Sequence, residues 1–322
     1  MDYRPLGSTG MTVSAIGFGA WGIGGRTPGA TSYGETDDGE SLCALNEAFD
    51  RGITFYDTSN VYGNGHSEEL IGACFEGRRQ NVVIATKAGI TSSYRGYDFR
   101  PPALRASLEG SLRRLRSDYV DMLQLHNAGA DVVIGDTEVV AMMQRFVAEG
   151  KVRFWGVSTP SPEDALALMD VAGVSCFQVN CNMLDWRAID AGLTGRAASR
   201  GIGIIARTPL ASGFLAGSVG RDTVFPSNDH RSRWRRERIA SWVEAARSVV
   251  EGVNVPDTKG NRAALALRFC LSVEGVATAI PGMLSRSEVL ASVAACEQGP
   301  LERDAMRCIE SIYRRYEARL RV

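Results

Sequence analysis

An α/β fold, a (β/α)8 TIM barrel forming one domain over residues 1–322, is what the sequence predicts. Three observations carry that expectation. Eight strand-like runs alternate with helix-like segments, and such alternation implies parallel strands with helices packed outside them. Apolar residues occupy 44% of the 322 positions, enough to fill one large core, and barrels of this length commonly form one unit. No low-complexity linker, and no repeat beyond the β/α unit itself, divides the chain.

The elements follow in order. YRPLGSTGMTVSAIG reads as a hairpin turning near residues 7–10, SAIGFGAWG (14–22) as the first barrel strand, and ESLCALNEAFDRG (40–52) as the first helix. ITFYDTS (53–59), VVIATKAG (82–89), YVDMLQLHN (119–127), VRFWGVS (152–158), CFQVNC (176–181), IGIIART (202–208) and VATAIPG (276–282) complete the eight. In the third connecting helix Leu104, Leu108, Leu112 and Leu115 recur at steps of four, four and three, which lays one apolar stripe against the barrel. A long insert, 211–260, follows the seventh strand. Insertions on the C-terminal face of a barrel usually shape its active site, so this one is expected to form a lid or wall. ERDAMRCIESIYRRYEARLRV (302–322) reads as an extra helix packed on the outside.

Four residues give the barrel a chemistry. Asp57, Lys87 and His126 each end a strand-like run, and Tyr62 lies in the loop just beyond Asp57. The C-terminal ends of parallel barrel strands share one face, so these four are expected to converge. A free tyrosine, with a pKa of about 10, is a poor acid at neutral pH. A lysine ammonium beside it favours the phenolate and should lower that value, an aspartate holds the ammonium in place, and a histidine donates a hydrogen bond to a carbonyl. Reduction of an aldehyde or ketone needs such a set, with hydride delivered by a nicotinamide.

Other readings of the chain are weaker. A net charge of −1 gives no general attraction to nucleic acid or anionic membrane, and RSRWRRER (231–238) reads as the solvated face of a helix, or as a contact for a cofactor phosphate or anionic substrate. No apolar stretch is long enough to span a bilayer, and MDYRPLGSTG lacks the pattern of a signal peptide. Seven scattered cysteines without a CxxC pair point to reduced thiols in a cytoplasm, and the three histidines are not at metal-ligand spacing. The glycines of GAWGIGGRTPG do not have the GxGxxG spacing, so they read as a turn. Trp21 within it suits a wall of the substrate pocket or core packing equally.

FYDTSNVYG with SEELIG, IATKAG, DMLQLHN, WGVST, FQVNCN, TPLASGFLAG and IPG, in this order, resemble the aldo-keto reductase superfamily over almost the whole chain. The resemblance implies that the N-terminal hairpin plugs the bottom of the barrel, and that Tyr62 is the general acid, Lys87 tunes it, Asp57 orients Lys87 and His126 positions the carbonyl. It also implies a nicotinamide cofactor. Ser158, Thr159 and Gln178 match the residues that hold the carboxamide, although Thr159 replaces an asparagine and loses its amide donor. Arg207 stands where many members stack a tyrosine on the nicotinamide; a planar guanidinium can also cover a ring. Pro209, Leu210, Ser212, Gly213 and Leu215 match the loop that meets the pyrophosphate.

After Ile280 and Gly282 the usual NADPH-binding pattern lapses. Its cationic and polar positions carry Leu284, Glu288 and Ser292 here. A carboxylate near the adenosine ribose repels a 2′-phosphate and accepts hydrogen bonds from free hydroxyls instead, unless Arg286 turns inward to restore the phosphate site. Family habit favours NADP(H), and NAD(H) stays open.

The expected function is NAD(P)H-dependent reduction of an aldehyde or ketone, or the reverse oxidation, on a small-molecule substrate such as a sugar or other hydroxylated metabolite. The alternatives are a cofactor-binding, redox-sensing or scaffold subunit with little turnover, and a barrel isomerase or lyase. Substrate choice is expected to lie around Trp21, Tyr33, Tyr94, Tyr97 and the 225–234 insert; the sequence does not set the oligomeric state.

Overall fold

The computed structural model describes residues 1–27, 32–91 and 96–320; Tyr94 lies outside them. Strands β1 (Tyr3–Pro5) and β2 (Thr12–Ser14) pair antiparallel, with Tyr3 opposite Ser14. Their connection depends on Gly7, whose φ is +57° and where a Cβ would fall 2.4 Å from the carbonyl oxygen of Gly201.

Eight parallel strands follow: β3 (Phe18–Gly19), β4 (Phe55–Asp57), β5 (Val83–Ala88), β6 (Val120–His126), β7 (Val152–Ser158), β8 (Val174–Asn180), β9 (Gly203–Arg207) and β10 (Val276–Ala279). Each pairs with the next in sequence. Bridges from Ile16 to Ala279 and from Gly19 to Gly282 join the first to the last and close the barrel. The closing hydrogen bonds include Gly17 N–H to Ala279 O at 2.8 Å and Ala279 N–H to Ala15 O at 2.9 Å. The expected (β/α)8 barrel is therefore present, with its hairpin, insert and terminal helix.

Helices occupy the connections: α1 (Asp38–Asp50), α2 (His66–Phe75), α3 (Pro101–Arg114), α4 (Ala130–Gly135), α5 (Thr137–Ala148), α6 (Pro162–Ala167), α7 (Arg187–Asp190), α8 (Leu193–Ser199), α9 (Arg236–Val253), α10 (Lys259–Ser272), α11 (Arg286–Glu297) and α12 (Arg303–Leu320). The α3 stripe packs as its spacing requires, with Leu104, Leu108 and Leu115 buried and Leu112 partly so. Helix α12 turns Ile309, Ile312, Tyr313, Tyr316 and Leu320 inward, a helical period of apolar residues, and lies against α9, where the Ser248 and Tyr316 hydroxyls meet at 3.0 Å.

Side chains alternate across a strand, so each one sends every second residue into the barrel. The lower interior layer is apolar: Phe55, Ala85, Met122, Cys176 and Ile205 pack with Leu6, Met11 and Val13 of the hairpin region, which plugs the bottom as expected. Two residues further along the same strands the inward positions turn polar. Asp57, Lys87, Gln124, Ser158, Gln178 and Arg207 occupy them.

Candidate active site

Strand register brings the polar layer together. Lys87 pairs in register with Gln124, His126 with Ser158, and Ser158 with Gln178. Lys87, fully buried, donates from Nζ to Asp57 Oδ1 at 2.5 Å, to the Thr58 carbonyl at 2.9 Å and to Tyr62 Oη at 3.1 Å. The other Asp57 oxygen, Oδ2, accepts from Gln178 Nε2 at 2.7 Å and Gln124 Nε2 at 3.1 Å. The buried carboxylate is thereby paired and saturated with donors, as its desolvation demands. Gln124 went unnoticed in the sequence, although it shares the inward face with His126 two residues on.

Tyr62 is aimed by its neighbours. Its loop fits against the turn after β3 only because Gly24 and Gly63 lack side chains: a Cβ on Gly63, at φ +60°, would sit 2.0 Å from the Gly24 carbonyl oxygen, and one on Gly24 would sit 2.7 Å from Gly63 N. His126 places its ring edge-on to Tyr62, centroids 6.0 Å apart, and its Nδ1 lies 3.1 Å from the Ser59 hydroxyl.

Burial governs the proton equilibria here. It pushes the Tyr62 phenol well above its ordinary value, Asp57 adds to the rise, and Arg207 opposes it. The expected lowering of this phenol by Lys87 is thus corrected: desolvation of a phenolate by the surrounding protein outweighs the nearby cations. Burial also lowers the Lys87 ammonium, against the pull of Asp57, and holds His126 well below the usual imidazole range, with Lys87 and Arg207 reinforcing the shift. Tyr62 keeps its proton, and His126 is neutral at neutral pH.

A cavity of about 670 Å³ opens above this set. Its lining includes Asp57, Tyr62, His126, Gln178 and Arg207 at one end, Pro209, Leu210, Ser212 and Gly213 along a wall, and Ile280, Gly282, Leu284 and Glu288 at the other end. Three expected cofactor contacts stand back from it. Ser158 is buried and lies between Arg207 Nη1 (3.0 Å) and Gln178 Oε1 (3.4 Å), Thr159 accepts from the Ser161 N–H at 3.2 Å, and Leu215 packs in the core.

The adenosine-end residues also have occupations of their own. Arg286 does not turn inward; its Nε meets Glu47 Oε2 at 2.6 Å on the α1 side. Ser292 returns its hydroxyl to the Glu288 carbonyl at 2.8 Å. Glu288 Oε2 accepts from the Leu284 N–H at 2.6 Å while its own N–H bonds Ser285 Oγ at 3.3 Å, a reciprocal cap at the start of α11.

The loop after β9 has unusual backbone. Thr208, Ala211 and Ser212 all have φ between 46° and 54°, and Gly213 has φ +97°. These dihedrals fold the loop on itself: the Ala211 N–H bonds the Thr208 carbonyl at 2.9 Å and the Gly213 N–H the Leu210 carbonyl at 3.0 Å. A polar end that carries the proton-transfer set and a cleft extending from it to Glu288 fit a nicotinamide dinucleotide.

The outer wall was only partly foreseen. Trp21 lines the cavity, with Tyr33 and His230 each 4.8 Å away by ring centroid and Tyr62 at 6.3 Å. Tyr97, by contrast, is 60% exposed and stacks on Phe99. The basic run divides: Arg233, Arg235 and Arg236 are exposed, but Arg231 turns into the cavity wall, gripped by Asp229 at 2.6 Å and donating to the Ser212 carbonyl at 3.0 Å. Asn127, Asn180, Thr208, Ser218 and His230 also line the cavity without having been singled out from sequence.

Comparison with known proteins places this barrel and site in a defined class. The chain belongs to the aldo/keto reductase family, whose model matches residues 15–314, a family of oxidoreductases acting on carbonyls with a nicotinamide cofactor. L-galactose dehydrogenase of Arabidopsis thaliana is 29% identical over 92% of this chain and 88% of its own length; a probable voltage-gated potassium channel subunit beta of the same plant is 29% identical over 94% and 93%. Among solved structures, glycerol dehydrogenase from Gluconobacter oxydans superposes with a TM-score of 0.79 at 27% identity, covering 98% of this chain and 96% of that one. An aldo/keto reductase from Klebsiella pneumoniae in complex with NADP and acetate superposes at 0.70 with 27% identity, covering 97% and 96%. No helix among the described residues is long and apolar enough to cross a membrane.

Proposed function

We propose that this chain transfers hydride reversibly between NADP(H) and a small hydroxylated carbonyl compound or its alcohol, with Tyr62 as the proton donor. The observation that carries the reading is the Asp57–Lys87–Tyr62 chain, at 2.5 and 3.1 Å, opening into the cavity beside His126. The bound nicotinamide supplies the hydride or takes it up. Tyr62 delivers its proton to the carbonyl oxygen, and the Lys87 ammonium, 3.1 Å from Tyr62 Oη, stabilises the phenolate that is left until it is reprotonated. Asp57, fixed by Gln124 and Gln178, keeps Lys87 aimed. His126, neutral and oriented through Nδ1 by Ser59, offers Nε2 to the substrate oxygen.

For the cofactor, Gln178 and Arg207 are proposed at the nicotinamide, Pro209, Leu210, Ser212 and Gly213 at the pyrophosphate, and Ile280, Gly282, Leu284 and Glu288 toward the adenosine. Ser158 acts from beneath, through its bonds to Gln178 and Arg207. The NADP complex of the Klebsiella relative supports NADP(H), whereas Glu288 favours NAD(H). The hydroxylated substrate rests on the aromatic wall of Trp21, Tyr33 and His230, and on relatives named for L-galactose and glycerol. Seven unpaired cysteines suit a reducing compartment such as the cytoplasm.

The test is a panel of carbonyls and alcohols followed by nicotinamide absorbance, with Tyr62→Phe as the control. The variant is expected to bind cofactor as the wild type does and to lose about 10²- to 10⁴-fold in turnover. Turnover near the wild-type rate would remove Tyr62 from its role, and cofactor binding without turnover of any panel member would favour a sensing or scaffold subunit.

A further inference from the structure

The polar end of the cavity carries a cation with no ion-pair partner among the described residues. Arg207 donates from Nε to Asn180 Oδ1 at 2.8 Å and from Nη1 to Asn127 Oδ1 and Ser158 Oγ, both at 3.0 Å. All three acceptors are uncharged. Among the described residues no carboxylate stands within ion-pair distance of this guanidinium. Asp57, the carboxylate of the same layer, is committed to Lys87, Gln124 and Gln178. Arg231, the other cation in the lining, is balanced by Asp229.

The charges therefore sum simply. Asp57 and Lys87 cancel, Tyr62 is a phenol and His126 a neutral imidazole, so Arg207 leaves the reacting end with an excess of one positive charge. The guanidinium is held among the β6, β7 and β8 strand ends, from which its three acceptors come, and faces the cavity, so its charge acts on whatever the cavity holds at short range.

We propose that Arg207 makes this site discriminate between the redox states of its nicotinamide, binding the reduced form more tightly than the oxidised form. An oxidised nicotinamide ring carries a positive charge and a reduced ring none, so the unbalanced guanidinium repels only the former. The inference rests on the proposed nicotinamide-binding function. Its consequence is a direction: on the protein, the balance shifts toward hydride uptake, in which an alcohol loses hydride and a proton to become a carbonyl while the cofactor is reduced. The same positive field stabilises the alkoxide from which hydride departs.

Dissociation constants for NADP⁺, NADPH, NAD⁺ and NADH, read by calorimetry or by quenching of tryptophan fluorescence, test this without turnover. Wild-type protein and Arg207→Lys, which keeps the charge, should favour the reduced member of each pair. Arg207→Met should narrow the reduced-to-oxidised affinity ratio about tenfold, equivalent to about 1.4 kcal/mol. Arg207→Gln, which can still bond Ser158 and Asn180, reads the same ratio if the methionine variant does not fold. Wild-type protein that binds both redox states equally, or a ratio unchanged in the neutral variants, overturns the inference while leaving the proposed function standing. Binding of none of the four nucleotides overturns both.

Discussion

At the scale of single residues, burial more than charge sets the proton inventory. Tyr62 has a cation 3.1 Å from its hydroxyl, yet the loss of water raises its pKa. The sign of the pH dependence follows. A raised pKa keeps the acid form to higher pH, so kcat/KM for the reduced cofactor, which reports the free protein, should show no fall from phenol ionisation up to the ordinary tyrosine value of about 10. A decline centred between pH 7 and 9 that persists in a variant with His126 replaced would contradict this order of effects.

Glu288 has two roles to separate, one as the cap of α11 and one as a charge in the cavity lining. Glu288→Gln keeps an acceptor for the Leu284 N–H and removes only the charge. It is expected to improve NADPH affinity several-fold relative to NADH, a modest effect because Glu288 is exposed and solvent screens it. Equal changes in both affinities would show that Glu288 acts as a cap alone.

At the scale of elements, an ion pair anchors the insert after β9 beside the cavity. Asp229, 2% exposed, accepts from the Arg231 N–H at 2.8 Å and from its guanidinium at 2.6 Å, and bridges to Ser32 across the cavity mouth. Arg231 in turn holds the Ser212 carbonyl and lies over the Tyr33 and Phe225 rings, 4.8 and 4.5 Å from their centroids. Asp229→Asn leaves Arg231 without its counter-charge, a change that commonly costs about 3–5 kcal/mol in buried pairs. We expect faster proteolytic nicking at 225–234 and weaker cofactor binding, with partial protection on adding cofactor. Nicking at the wild-type rate would show that the wall stands without this pair.

At the scale of the whole molecule, the barrel separates a stabilising end from a chemical one. Leu6, fully buried, joins the apolar layer beneath the polar layer. Leu6→Ala should cost about 2–5 kcal/mol of stability, seen as a lower melting temperature, and leave cofactor affinity unchanged because Phe55, Ala85, Met122, Cys176 and Ile205 stand between the cavity it leaves and the site. A matching loss of affinity would mean that the two ends are mechanically coupled.

Much of this protein was legible in its sequence because it depends on local order. Strand-helix alternation determined the barrel, and the places of Asp57, Lys87 and His126 at the ends of ITFYDTS, VVIATKAG and YVDMLQLHN determined that they meet, since neighbouring parallel strands carry their ends to one face. Motif order was enough to identify the family. Tertiary structure alone decided what depends on surroundings rather than succession. Arg286 turns to Glu47 and Arg231 into the cavity because each side chain goes to the carboxylate it can reach, and strand spacing does not record which one that is. Gln124 became part of the site only when Asp57 offered it a second oxygen. The proton on Tyr62 is set by the protein packed around its ring, a property of the assembled barrel that no single segment carries.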